Sequence, residues 1–279
     1  MKKAFQIIST LLLILLLASC SQTKEYQVYA IKFSDGWKIT AKEAIIGADQ
    51  TDSVDVCDMF WLISGPNRKY ILVDAGFIDS TKSSKNYVRP DSMLQKLGIS
   101  PNEISDIILT HPHLDHIGGI NLFPQAIIWM QKDDYNYFIG PAWDEHGYNF
   151  GFEKNDVNNI VSIYSQGRLK LIEGDGFEIM PGIRVFTGSK HTFENQFLLV
   201  NSNSKKNKII LASDAIWFYL NYEKLLPITV CMDTAAYVKT MKRMPELVTN
   251  TNLIIPGHDD LVFSKFPKVQ DWIVRIEEE

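Results

Sequence analysis

The densest chemistry in this 279-residue chain is the run ILTHPHLDHIGG, residues 108–119, which places His111, His113, Asp115 and His116 within six positions. In an extended chain, side chains two apart project to the same side, so His111 and His113 face one way at the end of the apolar stretch DIILT. Gly118 and Gly119 then let the backbone turn closely into a helix, which keeps Asp115 and His116 in the same small volume. Imidazole with carboxylate suits zinc and its neighbours, and a carboxylate can also position water. Further donors close other apolar runs: His191 after IRVFTGSK, Asp214 at the end of KIILASD, and His258 at the end of NLIIPGH. Five of the six histidines are thereby explained as ligands; His146 reads as a polar loop residue.

Strands must position these groups. Besides DIILT, β-rich runs recur as YQVYAIKF, MFWLIS, KYILVDAGF, AIIWM, IRVFTG, QFLLVNS, KIILASD and NLIIPGHD. Most are continuous apolar stretches rather than alternations, the mark of sheets covered on both faces. GPNRK at Gly65 reads as a hairpin turn. Helical patterns lie between the strands: RPDSMLQKLG has Pro90 and Asp91 as start signals and Gly98 as a stop, a second runs through MDTAAYVKTMKRM, and KVQDWIVRIEEE closes the chain as a last helical segment. Strands alternating with helices give an α/β protein. Residues 133–167 are aromatic and polar with weak periodicity, which predicts a long lid or substrate wall in which Trp143, Tyr148 and Phe150 either face an acyl chain or join the core.

Asp74 in VDAGF, the run THPHLDHIGG, the His191 turn, Asp214 in SDA and His258 in PGHD, in that order over residues 55–260, resemble the metallo-β-lactamase superfamily. The resemblance implies a four-layer αββα sandwich of two similar halves with metals at one edge between the sheets. It implies that His111, His113 and His191 hold one ion, that Asp115, His116 and His258 hold the other, and that Asp214 bridges them. Asp74 would orient a ligating histidine; a strand-terminating turn residue is the other reading. The third motif departs from the family's Pro-Gly-His-Thr-x-Gly-His: residues 188–195 read GSKHTFEN, which keeps the first histidine and leaves the loop shape open.

Two divalent ions, zinc foremost with iron or manganese also suited to His and carboxylate, would bring the pKa of a bridging water toward neutrality. The expected chemistry is hydrolysis by that hydroxide, with Asp115 and Asp214 serving catalysis as well as ligation, and no serine motif such as GxSxG points to a covalent intermediate. Asp214 at the bridging place, ILTHPHLDHIGGINLFPQA and SDAIW resemble the N-acyl-homoserine lactonase group, so lactones or related esters are the expected substrates. Phosphodiesters, thioesters or β-lactams on the same fold, or a non-catalytic exported metal-binding protein, are the alternatives. In the lactonase group a Tyr three residues after the bridging Asp assists the carbonyl; here Trp217 stands there, so either Tyr219 or Tyr222 takes over or the substrate differs.

The chain opens with MKKAFQIISTLLLILLLASC, a charged start and an apolar run too short for a confident membrane span. The end of this run, LASC, resembles a bacterial lipoprotein signal. That implies removal of residues 1–19, lipid on Cys20, a tether over residues 20–27 and a hydrolase domain over 28–279. Ser21 after the cysteine implies the outer membrane where the cell has one. Setting Lys2 and Lys3 aside, 26 basic residues face 33 acidic ones, a formal charge of −7. Such a balance opposes binding to phosphate backbones, so the expected partner is a small-molecule substrate, with membrane contact only through the lipid. Cys57 and Cys231 are far apart in sequence and lie in no metal-type spacing; free thiols are favoured over a disulfide.

Overall fold

The computed structural model describes residues 25–83, 85–203 and 207–277. The larger sheet has eight strands, in the order β12 (Lys268–Gln270), β13 (Ile273–Ile276), β1 (Gln27–Thr40), β2 (Ser53–Gly65), β3 (Lys69–Val73), β4 (Ile104–Ile108), β5 (Ile127–Gln131) and β6 (Leu169–Ile172). The smaller has five: β11 (Ile254–Pro256), β10 (Lys208–Ser213), β9 (Gln196–Asn201), β8 (Ile183–Thr187) and β7 (Phe177–Met180).

Period-two alternation sends Met59, Trp61 and Ile63 of β2 into a core shared with Val185, Leu198 and Leu211 of the smaller sheet. Phe60 and Leu62 of the same strand face the other way, into a core with Met93 and Leu94 of α2 (Pro90–Gln95), Phe138 of α4 (Lys132–Ile139), and Ile160 and Ile163 of α5 (Lys154–Ser165). On the far side, Leu199, Ile210 and Ile254 pack under Tyr237 and Met241 of α7 (Thr234–Arg243). Helices, sheet, sheet and helices form the four-layer αββα sandwich that the sequence resemblance implied. Burial on both faces accounts for the unbroken apolar runs.

Strands β3 to β6 are parallel, as are β10 and β11. Parallel strands end at one edge, so the residues just past β3, β4, β10 and β11 converge between the sheets. The GPNRK hairpin is formed, with Asn67 and Arg68 in the left-handed region at φ 59° and 57°.

Three expectations are corrected. Residues 133–167 are not a lid without elements: α4 and α5 occupy much of it, because Tyr135 with Phe138 and Ile160 with Ile163 recur at the helical i, i+3 interval amid acidic and Asn residues. The closing segment is not helical: β13 pairs antiparallel with β1, Ile276 opposite Val28 and Ile273 opposite Ile31, as suits its β-branched residues. Strands β6 and β7, absent from the sequence reading, are present. Cys57 and Cys231 are free thiols, the first buried and the second half-buried. The leader and Cys20 lie outside the described residues, among which no helix is long and apolar enough to cross a membrane.

Candidate metal centre

Each donor sits just beyond a strand or at the start of a helix. Asp74 follows β3 in a left-handed conformation, φ 67°. His111 and His113 follow β4, and His113 is the N-cap of α3 (Leu114–Ile117), which carries Asp115 and His116. Gly119 lets this turn pack on the Asp74 loop: a Cβ there would lie 2.1 Å from the Ala75 carbonyl oxygen. The Ala75 N–H bonds the His116 carbonyl at 2.8 Å. His191 comes from the turn after β8, Asp214 from the end of β10 and His258 from the end of β11.

All seven predicted ligands converge in two groups. His111, His113, His191 and Asp214 form one, and Asp115, His116 and His258 the other, with donor atoms in each group within 4.8 Å of one another. Asp214 stands between them. Its Oδ2 lies 3.0 Å from His191 Nε2 and 3.7 Å from His111 Nε2, while its Oδ1 lies 3.2 Å from Nε2 of both His116 and His258. Asp115 Oδ2 closes the second group, 3.3 Å from His116 Nε2 and 3.6 Å from His258 Nε2.

In four of the five histidines the outward ring nitrogen is occupied, which fixes the tautomer; His113 instead turns Nδ1 toward His191 Nε2, 2.9 Å away, and its buried Nε2 has no partner. His116 Nδ1 donates to Asp74 Oδ2 at 2.7 Å, His191 Nδ1 to the Val230 carbonyl at 2.6 Å and His258 Nδ1 to the Cys57 carbonyl at 3.0 Å. His111 Nδ1 meets Thr110 Oγ1 at 2.9 Å. That hydroxyl also reaches Asp74, which accepts the Thr110 backbone N–H at 2.8 Å. Asp74 is therefore both a turn residue and the acceptor that orients His116. With their outward nitrogens engaged, these rings turn Nε2 toward the centre, and the buried Nε2 atoms of His111 and His116 have no hydrogen-bond partner.

Buried polar atoms without partners are costly. The charges carry the same demand: burial works against ionisation of Asp214, yet His258, His116, His191 and His111 hold it far below the usual carboxylate range. Burial would likewise keep His258 neutral, but Asp214 and Asp115 push it up to about 9. Inward lone pairs around buried carboxylates fit two divalent cations, for which the donor types are suited.

The third-motif loop is held by residues that the sequence reading did not single out. Asn195 Oδ1 accepts the His191 N–H at 3.0 Å and the Ser189 hydroxyl at 2.6 Å. Asp134, buried on α4, accepts the Thr192 hydroxyl at 2.8 Å and the Glu194 N–H at 3.2 Å, and burial pushes its carboxyl up to about 6. These bonds hold the loop that carries His191.

A cleft of about 290 Å³ opens over the centre, walled by Val56, Phe77, Leu114, Phe150, Trp217, Phe218 and Val230 beside His113, Asp115, Asp214 and His258. Phe150, 61% exposed, stands in this wall, whereas Trp143 packs against the helix-side core and Phe152 against the His113 ring. His146 is exposed. Asp58 and Lys82 also line the cleft and went unnoticed in the sequence, each being a lone charge in an ordinary setting.

Trp217 donates its indole N–H to Asp214 Oδ2 at 2.5 Å. The expectation that Tyr219 or Tyr222 takes the place of the family Tyr is corrected: neither lines the cleft. Tyr219 belongs to the inter-sheet core, its ring 3.7 Å from the Lys265 ammonium, and burial drives its hydroxyl pKa up. Tyr222 packs against the core under α7. The α6 helix (Tyr219–Glu223) begins right after Phe218 and turns both rings away from the cleft.

Residues 56–192 match the family model of the metallo-beta-lactamase superfamily. Among curated proteins the chain is 25% identical over 231 residues to an N-acyl homoserine lactonase AttM of Rhizobium johnstonii, covering 78% of this chain and 74% of that protein. It is 26% identical over 207 residues to an N-acyl homoserine lactonase of Bacillus cereus, covering 68% and 76%. Among solved structures it resembles a quorum-quenching N-acyl homoserine lactone lactonase, with a TM-score of 0.70 at 21% identity over 91% of this chain and 99% of that one. It also resembles AidC, described as a dizinc quorum-quenching lactonase, with a TM-score of 0.64 at 19% identity over 93% and 99%. By its matched motifs and the convergence of their side chains, the segment over residues 56–192 is a metallo-beta-lactamase superfamily domain.

Proposed function

We propose that this protein is a metal-dependent hydrolase that opens lactones or related esters with water as the nucleophile. The observation that carries the reading is the placement of Asp214, each oxygen turned to a different donor group. His111, His113 and His191 would hold one divalent ion, Asp115, His116 and His258 the other, and Asp214 both. Zinc is the first choice, as in the dizinc relative, and iron or manganese suits the same donors. Such a pair, when bound, acidifies water and polarises a carbonyl.

The chain's own residues do the rest. Asp74, Thr110 and the Val230 and Cys57 carbonyls hold His116, His111, His191 and His258 each in one tautomer. Apolar side chains form most of the cleft wall. Among the described residues, none that lines it carries a hydroxyl or thiol, so no serine, threonine or cysteine nucleophile stands there. Asp115, 28% exposed at the cleft floor, is placed to hold or deliver a proton. Trp217 can donate a hydrogen bond but cannot release its proton near neutral pH.

Mostly apolar side chains wall the cleft, which suits uncharged esters with an apolar substituent. The lactonase relatives are similar over most of their length, which supports the lactone among those esters. We further propose that Cys20 carries lipid and anchors the enzyme to a bacterial membrane, on the strength of the LASC sequence.

The test is a panel of an acyl-homoserine lactone, an alkyl lactone, a thioester, a β-lactam and bis-nitrophenyl phosphate. The reading expects ring opening of lactones that is lost in Asp115→Ala and His116→Ala. Turnover of the phosphodiester without the lactones would overturn it.

A further inference from the structure

Of the carboxylates in the cleft wall, Asp115 and Asp214 belong to the donor groups and Asp58 does not. Asp58 lies on β2 opposite Ser34 of β1, on the strand face of Phe60 and Leu62, with its side chain 16% exposed. The polar groups of the cleft are engaged elsewhere. His258 Nδ1 is 3.9 Å from Asp58 Oδ1, but it donates to the Cys57 carbonyl. Lys82 pairs with Glu153 at 2.7 Å, and the Trp217 N–H is given to Asp214. The Ser34 hydroxyl is Asp58's neighbouring donor, and Ser83 Oγ shares it at 2.8 Å.

An ionised carboxylate only accepts, at about four lone-pair positions. One shared hydroxyl leaves Asp58 with acceptor capacity directed into the cleft, next to the second donor group. Water meets that need in the free enzyme. A substrate that displaces the water must replace its hydrogen bonds or lose affinity, and a buried acceptor set against a methylene is penalised.

Building on the lactone-hydrolase reading, we infer that Asp58 is a specificity-determining residue that accepts a hydrogen bond from an N–H group beside the scissile carbonyl. It thereby selects acylamino lactones over plain alkyl lactones. The amide N–H of an N-acyl amino lactone offers this donor; an alkyl-substituted lactone of the same ring size has only C–H there.

The experiment compares kcat/KM for N-hexanoyl-homoserine lactone and for γ-decalactone in the full metal-loaded enzyme, in Asp58→Asn and in Asp58→Ala, with metal content measured on each. The expected result is a wild-type preference for the amide substrate. Asp58→Ala should reduce the ratio of the two kcat/KM values about tenfold to a hundredfold, chiefly through KM. Asp58→Asn, which keeps a neutral acceptor, should reduce it less, and both variants should keep their metal. Equal losses on both lactones, or loss of metal, would overturn the inference while leaving the hydrolase reading intact. Turnover of neither lactone by the wild type would overturn that reading and this inference with it.

Discussion

The indole N–H of Trp217 lies 2.5 Å from Asp214 Oδ2, the oxygen that faces His191 and His111. The bond fixes the rotation of the carboxylate on which both donor groups depend, using a side chain that cannot act as an acid. Trp217→Phe keeps the aromatic wall and removes the donor. We predict a fall in kcat/KM of about tenfold, the worth of a hydrogen bond to a charged group. Metal affinity measured by chelator competition should weaken with it, and unchanged affinity and rate would show that Asp214 holds its orientation unaided.

Asp74 is fully buried and accepts from His116 Nδ1, the Thr110 N–H and the Thr110 hydroxyl. Asp74→Asn preserves the shape, and Asn tolerates the left-handed backbone, but it removes the charge that orients His116. Metal affinity should drop about tenfold to a hundredfold with little change in the circular dichroism spectrum. Competition titration with a chromogenic chelator checks this.

Gly151 adopts φ 75°, and a Cβ there would lie 2.9 Å from His113 Cδ2. Its carbonyl accepts the Leu114 N–H at 2.9 Å, which pins the Phe150 loop onto the motif. Gly151→Ala adds both backbone strain and a clash, costing about 1–3 kcal/mol. The expected readouts are a lower thermal midpoint and faster metal loss to chelator than in the wild type.

Asp134 supplies a pH signature. Burial raises its carboxyl from 3.8 to about 6, so between about pH 4 and pH 6 the folded chain keeps a proton that the unfolded chain has released. Stability therefore declines through that window as pH rises. In Asp134→Asn that contribution is absent. Whatever constant cost the lost acceptor brings, the variant should gain on the wild type by roughly 2 kcal/mol between pH 4 and pH 7. Denaturant melts at the two pH values measure the difference, and a constant gap would contradict it.

The ligands were legible in the sequence because strand-end position and short spacing are written locally: His111 and His113 need only an extended chain, and Asp214 and His258 each end an apolar run. The residues that hold them were not. Asp134 reads as one of a pair of acids at a helix start, and Asp58 as a polar interruption of a strand; only the packing of other elements buries them. Trp217 was flagged as a departure, but its partner is set by the turn after β10, which also sends Tyr219 and Tyr222 elsewhere. The closing hairpin was missed because Trp272, Ile273, Val274 and Ile276 are interspersed with charges. Their strand character becomes visible only beside β1.

The proposed hydrolysis requires two cations held by seven side chains, and metal content tests this requirement most directly. Plasma mass spectrometry on protein purified without chelator should find about two equivalents of transition metal per chain, and fewer in Asp214→Ala, which removes the residue common to both groups. A wild-type chain that binds no transition metal on reconstitution, or an Asp214→Ala variant that keeps both ions, would contradict it.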